Sequence, residues 1–272
     1  MRIVVHHEIV QAFAYPLKSA IEVLRLRPKD FESQHVAAWS VDVDTDCALR
    51  EGRDAFGNFT QTLDCEGPIS KIVIAAHGEI DTFDTAGMLR GGEPERFPVD
   101  VFLRDSDLTV ADEALRAFAQ SAVKGSKTSL DRPHFLMRAV SEAVKFAADE
   151  APVAASAAFR REKGCAQDHA HIFIAGARAL GIPARCVSGY LAPETSGEPA
   201  MPHAWAEAHV EGIGWIGFDP TICLCMHDGH VRVAAALDYQ GCAPLRLPPM
   251  TMATTTETLR VRSEQAGRQQ QG

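Results

Sequence analysis

The apolar pattern changes period partway along the chain, and that change limits the fold more than any other feature. Up to about residue 90 the sequence is a series of short β-branched or alternating runs, at residues 2–9, 20–27, 37–43 and 71–80. Such runs bury one face of a strand. The turn segment Asp54-Ala-Phe-Gly-Asn58 separates two strand candidates. A Gly/Pro/charged stretch, Gly91-Gly-Glu-Pro-Glu-Arg-Phe-Pro98, reads as a linker. The period then becomes helical. Helices are predicted over residues 107–123 with Thr109 as N-cap, over 131–148 with Pro133 in the first turn, and from Gly164 to a stop at Gly181. Strands return at 184–191, 203–210, 214–219 and 255–262. Strands, then helices, then antiparallel strands make an α+β protein. The expected division is a small β-sandwich over residues 1–90, a linker over 91–104, an α+β domain over 105–264 and a frayed tail over 265–272.

Composition excludes several classes of function. With 272 residues there is enough chain for a real core without disulfide or metal staples. The net charge of −9 argues against binding nucleic acid or an anionic membrane. No apolar run approaches the roughly 18 residues of a membrane span. His6, His7 and Glu8 interrupt the first apolar stretch, so it does not read as a secretory signal. Seven Cys, odd in number and irregular in spacing, fit a reducing cytoplasm. No cofactor or metal is expected.

Three segments carry chemistry: Gly164-Cys165-Ala166-Gln167-Asp168, Pro202-His203-Ala204-Trp205 and Gly214-Trp215-Ile216-Gly217-Phe218-Asp219-Pro220. His203 opens one strand and Asp219 closes the next, with a turn at 211–214, so a hairpin brings them to the same end. Cross-strand neighbours lie roughly 5 Å apart at Cβ and diagonal ones roughly 7–8 Å. The carboxylate can then fix the imidazole tautomer and leave the second ring nitrogen as a general base. A helix N-terminus near Cys165 would favour a thiolate and supply N–H groups for an oxyanion. These residues point to Cys–His–Asp acyl transfer.

The runs GCAQDHAHIFIAGARALGIPARCVSGYL, HAWAEAHV and GWIGFDPT closely resemble the bacterial branch of the transglutaminase-like superfamily, the transglutaminase-like cysteine proteases. The resemblance covers nearly the whole chain, including the Asp54–Asn58 turn. It implies a papain-like transglutaminase core, a helix bundle packed on an antiparallel sheet, behind an N-terminal β-rich domain. It also implies thiol-dependent hydrolysis of an amide or peptide bond in a peptide or protein substrate. The alternatives are an amine-acceptor cross-linking enzyme, a non-catalytic peptide-binding protein and a metal-dependent hydrolase.

One position departs from the family pattern Gly-Val-Cys-Gln-Asp-x-Ala-His. Aligned on Gln167, Asp168, Ala170 and His171, the nucleophile falls on Ala166, and Cys165 takes a usually hydrophobic position. One residue at a helix start turns a side chain by about 100°, so Cys165 is expected to point away from His203. The chain therefore reads as an inactive, nucleophile-to-Ala form with His203 and Asp219 intact. Cys165 remains a less favoured nucleophile, reachable through a local bulge. Gln167 and Trp205 are expected to shape the site.

Other polar residues have plainer readings. His169 and His171 point to different helix faces and need not be ligands. Cys223-Leu-Cys225-Met-His227-Asp-Gly-His230 lacks the usual separation of zinc ligand pairs and reads as a substrate-side or packing loop. Trp215, Arg185 and Tyr190 read as packing or positioning residues. Asp112, Glu113 and Asp149 read as solvated helix faces. His6 and His7 should face opposite sides of a strand. Cys47 and Cys65 read as small core or edge residues.

Overall fold

The computed structural model describes residues 1–148, 151–193, 200, 202–246 and 253–264; Asp149 and the tail expected over 265–272 lie outside them. The N-terminal region consists of β1 (Arg2–Leu24), β2 (Gln34–Val43), β3 (Cys47–Arg53) and β4 (Phe59–Thr82). The runs predicted at 2–9 and 20–27 are two halves of one strand. Between them Ala14, Tyr15 and Pro16 are exposed, so the alternation lapses while the backbone stays extended. Strands β1 and β4 pair antiparallel from Arg2↔Asp81 to Leu24↔Gln61, with register shifts between Ala12 and Ser19. Strands β2 and β3 pair with the other edge of β4. One apolar cluster, including Ile9, Leu24, Leu63, Ile72 and Ile74, draws on both halves of the long strands. The expected sandwich is thus one continuous hydrogen-bonded sheet.

The second half contains α1 (Glu113–Ala122), α2 (Asp131–Ala143), the short strand β5 (Lys145–Phe146), α3 (Ala155–Arg161), the short strand β6 (Lys163–Gly164) and α4 (Ala166–Ala179). Strands β7 (Ala184–Leu191), β8 (Pro202–Val210), β9 (Gly214–Asp219), β10 (Leu224–Cys225) and β11 (His230–Ala236) follow. They form an antiparallel sheet in the order β10-β9-β8-β7-β11. Helix α4 packs on β7 and β8, and α1, α2 and α3 pack around α4. Helix α1 starts later than the sequence suggests. Its N-cap is Asp112, which accepts the Leu115 N–H at 3.0 Å. Thr109 instead accepts from the buried Arg178 guanidinium at 2.6 Å. Helix α2 stops at Ala143 because the chain leaves it for β5. Helix α3 lies in an alanine-rich stretch that shows no clear amphipathic period.

The chain's end does not stay with the second sheet. After α5 (Tyr239–Cys242), the strands β12 (Leu245–Arg246) and β13 (Ala253–Glu264) both pair with β1. The strand expected at 255–262 inside the second domain therefore completes the first sheet. It covers the edge of β1 that β4 leaves open, and an uncovered edge of that length would invite pairing with another chain.

Two side-chain amides join the sheets. The edge strand β11 meets Gln34, whose amide bonds both the N–H and the C=O of Arg232 at 2.8 Å. Asn58, the last residue of the predicted turn, does the same for Ala235 at 2.9 and 2.8 Å. Each amide satisfies two backbone groups that a buried edge would otherwise leave unpaired.

Candidate active site

Helix α4 begins at the predicted segment. Cys165 is its N-cap and Ala166 its first helical residue. The Asp168 carboxylate folds back on this turn. One oxygen accepts the Cys165 N–H at 3.1 Å and its thiol at 3.3 Å, and the other accepts the Val153 N–H at 2.8 Å. Burial pushes the Cys165 thiol up to about 11, with the Asp168 charge adding to the rise. The favourable field of a helix N-terminus does not make a thiolate here, because the nearest ionised group is an anion.

His203 and Asp219 meet as the hairpin argument requires. The pairs Ala206↔Phe218 and Ala208↔Ile216 fix the register of β8 and β9. Continued outward, it sets Asp219 opposite Trp205 and makes His203 the diagonal neighbour. His203 Nε2 donates to Asp219 Oδ2 at 2.6 Å. A second imidazole, which the sequence analysis left in a loop, joins the same oxygen: His230 Nε2 donates to it at 3.1 Å. Asp219 Oδ1 accepts the Thr221 N–H at 2.9 Å. Burial alone would raise the Asp219 pKa, but the two imidazoles outweigh it and hold this carboxyl far below its ordinary range. Burial pushes His230 the other way, toward its neutral form.

The aromatic packing explains how this cluster is held. Trp205 is fully buried, stacked 6.2 Å from the His203 ring and edge-on at 5.1 Å to His230. Gly189 makes room for it. A Cβ at position 189 would lie 2.0 Å from the Val231 carbonyl oxygen and 2.9 Å from the Trp205 ring.

A cavity of about 260 Å³ opens where these elements meet, with Cys165, Ala166, Gln167 and His203 in its wall. The predicted helix start and the predicted imidazole thus share one cavity. Cys165 also borders it, which the simple rotation argument did not anticipate, but its thiol is engaged by Asp168. Gln167 contacts the Tyr239 hydroxyl in the same wall. Tyr239 and Glu257, which also line the cavity, were missed by the sequence reading. They come from α5 and β13, far along the chain from the motifs.

The remaining predicted residues take structural places. His169 bridges the carbonyls of Cys165 and Val144, each at 2.9 Å. His171 Nε2 accepts the Tyr239 N–H at 3.0 Å, and burial pushes its pKa down to about 4. Both imidazoles are buried inside α4's packing rather than on a surface. Arg185 bonds Glu207 and Glu95, both at 2.6 Å, and its guanidinium lies 4.0 Å over the Trp215 ring. Tyr190 meets His7 at 3.2 Å, so His7 has a partner across the two sheets, while His6 is exposed. Cys47 and Cys65 are direct cross-strand partners. Among the described residues, the group close enough to share a metal ion is His203, Asp219 and His230, with ligand atoms within 4.8 Å. The Cys223–His230 loop contributes only its last residue to it. The short contacts inside this group are hydrogen bonds from both rings into one carboxylate oxygen.

The chain resembles known proteins along both halves. Residues 116–220 match the pattern of the Transglutaminase-like superfamily, and residues 3–81 that of the bacterial transglutaminase-like N-terminal region. An uncharacterized protein of Mycobacterium leprae is 35% identical over 89 residues, 31% of this chain and 31% of that protein. One of Mycobacterium tuberculosis is 35% identical over 94 residues, 31% of this chain and 30% of that protein. The chain thus spans about a third of the length of the curated relatives it matches. The crystal structure of a candidate cysteine protease from Cytophaga hutchinsonii superimposes with a TM-score of 0.78 at 20% identity, covering 98% of this chain and 92% of that one. That similarity spans both the β-rich region and the α+β core. With the core pattern lying over α1 to β9 and the N-terminal pattern over β1 to β4, the chain carries a transglutaminase-like core behind a bacterial transglutaminase-like N-terminal region.

Proposed function

We propose that this fold is built for thiol-dependent acyl transfer at an amide or peptide bond, and that Ala166 occupies the nucleophile's position, leaving the chain as written without that chemistry. The observation that carries the reading is the bond from His203 to the buried Asp219 at 2.6 Å, with His203 in the wall of the cavity that Ala166 also lines. With a thiolate at position 166, sulfur attacks the carbonyl carbon and the N–H groups at the start of α4 receive the oxyanion. His203 gives its free-nitrogen proton to the leaving amine, and Asp219 stabilises the imidazolium. Water then attacks the thioester with His203 as base, releasing acid and regenerating the thiolate. The proposed substrate is a peptide or protein, and hydrolysis is favoured over transfer to an amine. The seven free thiols suit a reducing, cytoplasmic setting. No helix among the described residues is long and apolar enough to cross a membrane.

A second reading, a protein that holds a peptide without cleaving it, rests on Cys165. Its raised thiol pKa and its bond to Asp168 make it a poor substitute nucleophile. Both readings are tested by Ala166→Cys. This variant should gain amidase activity that iodoacetamide abolishes, while the Ala166 chain shows none. Thiol-dependent activity in the Ala166 chain, lost on Cys165→Ser, would overturn the assignment.

A further inference from the structure

On one face of strand β13 the buried stretch ends at a charged residue. Its residues Leu259 and Val261 are buried and pack in the main core, while Arg260 and Thr258 are exposed. Alternation sets Glu257 in line with Leu259 and Val261. Thr255, the next residue of that row, is exposed, so Glu257 stands where the buried stretch gives way to the surface. Its side chain is 39% exposed, because at this level the row reaches the mouth of the cavity that holds Ala166 and His203.

The surroundings of Glu257 share one chemistry. Phe146 and Tyr239 also line the cavity, and an ammonium is attracted both by a carboxylate and by aromatic faces. The Glu257 charge is felt at the buried Tyr239 hydroxyl, which Gln167 also contacts. No Lys or Arg is among the cavity's described lining residues. A basic group beside Glu257 is His7 Nε2, 3.8 Å away in the neighbouring strand β1.

We infer that Glu257, Phe146 and Tyr239 form an ammonium-recognising subsite beside position 166, so that the ligand of this cavity carries a cationic amine close to the amide. The inference rests on the acyl-transfer reading for the direction of the amide, and it deepens that reading by giving the substrate class. It also gives the N-terminal sheet a part in the site, since β13 belongs to that sheet. Glu257 is a specificity residue here and takes no part in bond making.

The test uses the chain with Ala166 in place, which binds without turnover. The probes are the dipeptide amide Ala-Ala-NH₂ with a free α-amine, its N-acetyl form, and n-butylamine, followed by calorimetry or NMR titration. The free-amine peptide should bind about fivefold more tightly than the acetylated one, the upper range for a partly exposed ion pair. The difference should shrink as salt rises. Glu257→Gln should remove the preference and leave the affinity of the acetylated peptide unchanged. If the ammonium belongs instead to a separate amine acceptor, n-butylamine will show the Glu257 dependence and bind together with the acetylated peptide. Equal affinities for the two peptides without such an amine effect, a preference that survives Glu257→Gln, or no binding of any probe at 10 mM (about the weakest affinity such a titration reads, two to three kcal/mol of binding energy) would overturn the inference. Should Glu257→Gln fail to fold, the salt dependence of the peptide pair on the unaltered chain decides it. None of these readings depends on whether Ala166→Cys gains activity, so the two proposals fail separately.

Discussion

Two carboxylates lie fully buried in the second sheet, and each is gripped by two basic side chains. Glu207 accepts from Arg185 Nε at 2.6 Å and from Arg232 at 2.6 and 3.1 Å. Asp219 accepts from His203 at 2.6 Å and from His230 at 3.1 Å. Burial would raise Glu207, but the two guanidiniums outweigh it and keep it well below the ordinary carboxylate range. The distances match, but the chemistry differs. A guanidinium stays charged at any physiological pH, so the Glu207 cluster is a fixed lock between β7, β8 and β11. An imidazole can give or take a proton in this range, and His203 lines an open cavity. Burial and pairing alone therefore do not set the two clusters apart; the kind of base and its access to a cavity do.

The sharpest break in this comparison is Asp219→Asn in the Ala166→Cys background. An amide there no longer stabilises the imidazolium or enforces its tautomer, and the expected loss in kcat is about 10⁴-fold. Single-turnover amidase assays read it, with circular dichroism to show that the fold persists. A loss below tenfold would remove Asp219 from the mechanism.

The lock should break as stability instead. Glu207→Gln leaves two buried guanidiniums without their counter-charge, and removing one partner of a buried pair costs about 3–5 kcal/mol. Urea denaturation should show that loss. Replacing Arg185, Glu207 and Arg232 together by Met, Leu and Met should recover most of it, since no buried charge is then stranded and Glu95, the other partner of Arg185, is partly exposed. A triple variant as weak as Glu207→Gln would mean that the cluster is more than an electrostatic lock.

The sequence made one cluster legible and hid the other. His203 and Asp219 could be read because they end consecutive strands of one hairpin, where register follows from the turn. His230 could not, because its approach depends on β11 lying beyond β7 at the sheet edge, a pairing with no local signal. Arg185, Glu207 and Arg232 sit on three strands, and only the folded sheet order brings them together. The same reasoning explains β13. Its alternation marked it as a strand, but its partner β1 lies more than 230 residues away. Cavity-lining Glu257 was out of reach for that reason. The missed continuity of β1 had a different cause: the exposed residues around Pro16 erase the alternation without ending the strand.

Acid should separate the titrating residues from the lock. Burial lowers the His171 pKa to about 4, below its ordinary value near 6.5. The folded state therefore binds fewer protons than the unfolded chain over that interval. The contribution is fully present above about pH 6.5 and is lost as pH falls toward 4, on the order of 3 kcal/mol in all. His230, lowered in the same direction, adds to the slope. Asp219, also depressed, adds its own loss only below about pH 4. Unfolding free energy measured from pH 7.5 to 4.5 should decline, and His171→Gln should flatten the curve. The Arg185/Glu207/Arg232 triple variant should keep the full slope.

The smallest effect is expected at Cys165, and it bears on the register of the whole site. Its thiol, raised to about 11, holds almost no thiolate at neutral pH, and its S–H donates a hydrogen bond to Asp168. Serine can donate to the same carboxylate oxygen and is a better N-cap than cysteine. Cys165→Ser should therefore change stability by about 0.5 kcal/mol or less, toward gain if either way. In the Ala166→Cys background the rate should stay within about twofold, equivalent to about 0.4 kcal/mol of barrier. Iodoacetamide should label position 166 in that variant and leave Cys165 intact, as mass spectrometry of tryptic peptides would show. A hundredfold loss of activity on Cys165→Ser, or preferential labelling of Cys165, would shift the nucleophile by one residue and make Ala166 an ordinary first-turn alanine.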